Sequence, residues 1–427
     1  MARRMCLSFL ALWMGLLILS LTNPYGLFPA SSLVYFYILV FLLSFTLGIT
    51  FSYNKVGLNK QLSFFSELKS SIDWIVDNRL VLIATILCDL FLLYAFSKQQ
   101  VALMDSSIQE LRLEGSQDYL FGDNGLLGSI YNLVVTPLST FIQVLFAYIF
   151  ICRREKLLPL VASLLNVILS TAINNSRGVL MIVLVYVVYV VFCCPFLINE
   201  GGKKIRFRNV VLIVVFALGA FAFVSYLTAQ RLFGTNEISG EAVEMGVDAL
   251  NKHIITYFVA PFRCFDYAID HNYFEALGGP TFGRSTFGFF DGFIGFVLNH
   301  LGIHYTTANS IIYTHLQDKW IWVGIDMNFA YTAMFNFYMD FGFFGVLFLP
   351  AIFGAVIKKL CNSFLRNGNP ALFLLLGYLF LALWESYFGW ILYRWAVAFN
   401  FIFIIVFYYY YRSHKSKINK IQGFHPI

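Results

Sequence analysis

Charge is what this chain has least of. Lys, Arg, Asp and Glu make up 12% of its 427 residues, where a soluble domain carries about 25%. Hydrophobic residues reach 59% and mean hydropathy is +0.73. Such a composition excludes a water-soluble enzyme and describes an all-α polytopic membrane protein. The signatures of several chemistries are also missing. There is no Walker loop, no G-x-G-x-x-G, no H-E-x-x-H and no Cys-x-x-Cys, so a nucleotide-driven pump, a dinucleotide enzyme, a zincin and a dithiol catalyst are all disfavoured. Cysteine is sparse outside the apolar runs. Only Cys264 falls on an outward segment, which leaves no disulfide framework.

What is present is apolar length. Runs close to the ~20 residues that a span requires lie at 6–22, 31–53, 80–97, 129–151, 157–173, 178–198, 209–228, 336–357, 370–388 and 391–411. That makes about ten transmembrane helices. Arg3, Arg4 and the apolar core behind them resemble a secretion signal, but no small-residue cleavage site follows directly, and an uncleaved first span is expected. Basic residues supply an independent test of orientation. With both termini cytoplasmic, the inward segments hold 20 of the 29 Lys and Arg, as the positive-inside rule requires. The net charge of +6 is therefore membrane anchoring, and no nucleic acid partner is implied.

The expected organisation is helices 1–7 within residues 1–228, one large outward (periplasmic) loop at 229–328, helices 8–10 within 329–411, and a basic cytoplasmic tail at 412–427. Within the loop, Val243, Val247, Leu250, Ile254 and Phe258 follow a helical period, with Pro261 expected just beyond the end. The Phe287–Leu298 patch has three glycines among its phenylalanines. It is too short to span and is expected to be re-entrant or interfacial.

The outward face offers arginine and histidine. Arg177, at the apex of a hairpin between spans, and Arg231, Arg263 and Arg284 in the loop carry rigid donor forks suited to a diphosphate. Each could instead reach toward lipid headgroups. His315 is the freest candidate for a general base, followed by His304. His300 and His304 share a helical face if that segment is helical, yet no third ligand accompanies them and no metal site is assigned. Asp89 lies inside a span and either lines a polar cavity or bonds a neighbour. Glu385 and Arg394 stand at facing ends of the last two spans, where an ion pair is the simpler expectation.

Two short blocks carry a resemblance. One is Ser176-Arg177-Gly178 at its outer hairpin. The other is Asn328 followed by the run from Asn336 to Gly345, with Asp340-Phe341-Gly342 at its centre. In this order, around a large outward loop, they resemble the O-antigen polymerases (Wzy type). That resemblance implies a GT-C-like fold and a metal-independent glycosyltransferase without a cofactor. It would polymerise undecaprenyl-diphosphate-linked oligosaccharide at the outer face of the bacterial inner membrane. Partners would be membrane lipid, a chain-length regulator and a flippase. Arg177, Arg231, Arg263 and Arg284 would hold the diphosphate, His315 or His304 would take the proton, and Asn328 and Asp340 would organise the cavity. The alternatives are an O-antigen ligase, which uses the same kind of site, and a flippase or transporter for the repeat unit.

Overall fold

Apolar runs become helices because a chain in lipid must satisfy every backbone polar group within itself. The computed structural model describes residues 1–23, 26–51, 61–105, 125–174, 178–198, 258–312, 320–322, 326–328 and 331–421. Among the described residues, five helices are long and apolar enough to cross a membrane: Ala2–Thr22, Ser32–Phe51, Arg79–Val101, Gly125–Cys152 and Phe343–Asn367. Three shorter apolar helices accompany them at Leu157–Ile173, Gly178–Cys193 and Pro370–Glu385. The protein is an all-α membrane protein. A three-residue antiparallel pair, Trp320–Trp322 with Asp326–Asn328, is the one piece of sheet among the described residues.

Two compact units divide the chain. The first comprises residues 1–56, 252–362 and 379–398. It contains α1 (Ala2–Thr22), α2 (Ser32–Phe51) and most of α3 (Phe343–Asn367). Helices α2 and α3 run parallel at close range. Ser44 donates to Leu347 O, a Cβ on Gly48 would stand 2.0 Å from Ala351 O, one on Gly354 would meet Phe45 O at 2.6 Å, and Lys358 Nζ reaches Thr50 O at 2.9 Å. Small residues are what let two backbones approach in lipid, where no hydrophobic force draws helices together and close packing must do so. Pro350 interrupts α3, and a carbonyl of that same stretch, Leu347 O, takes the Ser44 hydroxyl.

The expected span 336–357 is organised differently. Residues Ala333–Phe341 form a separate helix, α4, which ends at Gly342, and α3 begins at Phe343. Gly342 has φ +58°, a left-handed conformation that glycine enters without a Cβ penalty. Gly345 then lies so close to Phe337 O that a Cβ would be 1.8 Å away, so the two helices fold back on each other. Hydropathy alone could not show this bend, because both arms are apolar.

Residues 258–270 form a helix, α5, which carries Pro261 within its described length. The proline therefore does not close this helix, and the expected helix over 243–257 lies outside the described residues. Phe287–Leu298 corresponds to helix α6, Gly288–His300, about 20 Å long at 1.5 Å per residue and shorter than a bilayer core.

The second unit comprises residues 57–251, 363–378 and 399–427. Its polar groups are satisfied between helices. Asp89 accepts from Asn166 Nδ2 at 2.9 Å, so it bonds a neighbour within the helix packing. Asp73 receives Tyr148 OH at 2.7 Å and Arg153 at 2.5 Å, and Asp77 pairs with Lys156 at 2.5 Å. A π-helical turn at Tyr131–Val135 precedes Pro137, where the helical ladder lacks a donor.

The close approach of α2 to α3 yields a direct expectation. Gly48→Leu would place a side chain against backbone that cannot give, destabilising the protein by roughly 3 kcal/mol. Gly15, where an added Cβ would meet nothing within 4 Å, should accept Ala with a neutral or higher midpoint. Thermal unfolding in detergent distinguishes the two.

Candidate functional site

Two helix ends meet beside the middle of α1 in the first unit. The helix Pro370–Glu385, α7, stops at Glu385, and the carbonyl of Ser386 accepts the N–H of Ala333, the first residue of α4, at 2.7 Å. Trp13 Nε1 donates to Ser386 Oγ at 3.1 Å, and Trp13 stands near the midpoint of α1. This junction therefore lies about 15 Å from either end of α1. Irregular backbone that deep is tolerated where protein buries it or where it lines a polar cavity. From the junction α4 leads away to Asp340 and Gly342.

Asp340 is fully buried. Its Oδ1 accepts from Thr281 Oγ1 and, at 3.0 Å, from Ser285 N–H, while Oδ2 accepts from Thr286 N–H at 2.7 Å. One turn earlier, Asn336 Nδ2 donates to Ser285 Oγ at 2.9 Å. The loop 281–286 is thus pinned on α4 from one side. Trp390 pins it from another, donating Nε1–H to Thr286 O at 2.6 Å. Helix α6 follows, held close by glycines: a Cβ on Gly288 would be 2.4 Å from Tyr393 O, and one on Gly292 would be 2.3 Å from Trp395 Cβ.

Arg284 is presented by this pinned loop. Asp291, in the first turn of α6, accepts from Arg284 Nε at 2.8 Å, from Tyr305 OH at 2.5 Å and from Ala308 N–H at 2.6 Å. Arg284 Nη2 donates to Thr306 O at 2.6 Å, and the guanidinium lies 5.2 Å from the Tyr305 ring centre. Burial works against its charge, but the hydrogen bond and charge of Asp291 outweigh that and raise its pKa above the ordinary arginine value. Burial and Asp291 likewise raise the Tyr305 phenol, which keeps it a donor. The side chain remains 38% exposed. A guanidinium fixed on two sides and open on the third can bind an anion with little loss of side-chain freedom.

Arg263 has a different setting. It is 4% exposed and donates to Phe28 O at 2.5 Å, Ser20 Oγ at 3.0 Å, Val259 O at 2.8 Å and Ser20 O at 3.2 Å. Burial lowers its pKa, from a value so high that it stays charged. One helical turn on, Asp266 accepts from Ser31 N and Oγ, both at 2.5 Å. Arg263 and Asp266 together bind α5 to the turn between α1 and α2, and the arginine's donors are occupied within the chain.

His304 is exposed and follows Gly302, beyond the end of α6, so it does not share a helix face with His300. His300 Nδ1 lies 2.8 Å from Phe296 O. Asn328 pairs with Trp320 in the short sheet. Arg177, Arg231 and His315 lie outside the described residues. What sequence reading missed is Asp291, Tyr305 and Trp390. Asp291 carried a signal, a carboxylate among phenylalanines, and the other two carried none.

Removing the Asp340 carboxylate would leave two buried N–H groups without acceptors. Asp340→Ala should cost about 3 kcal/mol or more, with Asp340→Asn in between. A lowered unfolding midpoint and faster protease cleavage within 277–287 would report it; unchanged cleavage in both variants would refute the pinning role. No protein-family model, no curated protein and no solved structure matches the chain.

Proposed function

We propose that the chain is a membrane glycosyltransferase that polymerises undecaprenyl-diphosphate-linked oligosaccharide repeat units at the outer face of the bacterial inner membrane. One observation carries the reading. The block from Asn336 to Gly345, which resembles the polymerases, clamps the loop that holds Arg284 in a fixed, partly exposed pose. The resemblance and the best-placed cation thus belong to one assembly.

The chemistry asks for little else. A glycosyl diphosphate is already activated, and its departure is assisted by cations set in place beforehand. Arg284 is assigned to the diphosphate. Asp340 holds the Arg284 loop, and Arg263 serves as a brace. The direction of the helices agrees with the proposed topology of ten spans and cytoplasmic termini. The second and eighth spans of that topology both run inward, and α2 and α3 are parallel. Met5 and Cys361 share one end of the unit, whereas Ser20, Arg263 and the turn after α1 occupy the other.

Deleting the protein should leave surface lipopolysaccharide cores capped with a single repeat unit on a gel. Bare cores would transfer the reading to a flippase or ligase, and an unaltered ladder would refute it. In complemented cells Arg284→Ala should shorten or abolish the ladder at wild-type protein level. Arg284→Lys should recover little, because an ammonium lacks the fork; full recovery would argue against two-pronged contact with phosphate.

A further inference from the structure

Every carboxylate side chain described in the first unit, except one, is either exposed or held by donors of the fold. Asp266 is taken by Ser31, Asp291 by Arg284, Tyr305 and Ala308, and Asp340 by Thr281, Ser285 and Thr286. Asp270 and Glu275 are exposed. Glu385 is the exception. It is half-buried, and its side chain makes no hydrogen bond or ion pair with the described residues. It ends α7 at the junction beside Ser386, level with the midpoint of α1. A carboxylate so placed, which Arg394 offsets by charge alone and no hydrogen bond holds, is a functional-site candidate in a membrane protein.

Its surroundings are built for polar traffic. Three buried oxygens in the same part of the unit have no hydrogen-bond partner among the described residues: Thr332 Oγ1, Asn336 Oδ1 and Thr286 Oγ1. Thr332 caps the start of α4 one turn before Asn336, and Asn336 bonds Ser285, the neighbour of Thr286. They form a polar seam from the Ser386–Ala333 junction to the loop of Arg284. Hydroxyl and amide oxygens of this kind are satisfied by water or by the hydroxyls of a ligand. Arg394, whose charge acts on Glu385, lies between Tyr393 and Trp395, the two residues on which α6 is seated.

We propose that Glu385 is the proton acceptor of the transfer, an inference that rests on the glycosyltransferase reading. The acceptor sugar hydroxyl forms its bond to the anomeric carbon of the donor as the bond from that carbon to the diphosphate oxygen breaks. The diphosphate leaves with the bonding pair toward Arg284. The hydroxyl proton passes to a Glu385 carboxylate oxygen and then, along the seam, to water.

The test uses full-length protein in lipid nanodiscs and the lipid-diphosphate-linked oligosaccharide extracted from cells lacking the chain. Glu385→Gln should slow chain extension by at least ~100-fold and abolish the acidic limb of the wild-type pH–rate profile. Binding of the lipid-linked donor and the unfolding midpoint should remain as in wild type. Glu385→Asp should fall between the two. A Glu385→Gln rate within about tenfold of wild type, an unchanged pH profile, or a loss of donor binding equal to the loss of rate would each overturn the assignment. His315→Ala measured alongside identifies the competing base: loss of the acidic limb there, with Glu385→Gln active, overturns it as well. Wild-type protein that extends nothing would bring down the underlying reading, an outcome distinct from an active Glu385→Gln variant.

Discussion

A backbone that breaks inside an apolar helical frame must still pair its N–H and C=O groups, and the first unit depends on how that is done. The carbonyl of Ser386, just past the end of α7, takes the first N–H of α4, while Trp13 fixes the Ser386 side chain. Because the groups are buried, each of these bonds holds its geometry more firmly than a surface bond would. Two helices can therefore stop halfway along α1 without leaving backbone exposed, and room for polar side chains is created at a depth where a continuous helix would offer only its apolar face.

From that junction a chain of polar contacts leads to Arg284. Asn336 and Asp340, one turn apart on α4, hold Ser285 and Thr286. Trp390 holds the carbonyl of Thr286, and Asp291 orients the guanidinium. On the proposed reading this is a preorganised anion site: the cation is set by neighbours that are themselves fixed, so little ordering is left for the moment of binding. Arg263 shows the converse. Its donors bind chain carbonyls and a serine, and the same residue type becomes a structural tie.

The glycines of α6 illustrate why such a site needs close backbone contact. Residues 393–395 approach Gly288 and Gly292 so nearly that no side chain fits between. That contact seats the first turn of α6, and with it Asp291, beside the irregular segment that follows α7. A helix of ordinary residues at this position would stand several ångströms away, and the Arg284–Asp291 pair would move with it.

Composition and periodicity by themselves determined that this is a helical membrane protein and where most of its apolar helices run. Those properties are local, since hydropathy and charge are read one residue at a time. Asp89 illustrates the limit: its rarity in a span was legible, but that Asn166 satisfies it was not. The bend at Gly342, the division of 333–367 into two helices, the different settings of Arg263 and Arg284, and the absence of a hydrogen bond to Glu385 among the described residues were decided only by tertiary structure. The reason is physical. Whether a polar group acts as a tie, a ligand or an unpaired charge depends on which distant backbone and side-chain atoms surround it, and in this fold those partners come from segments as far apart as Trp13 and Ser386.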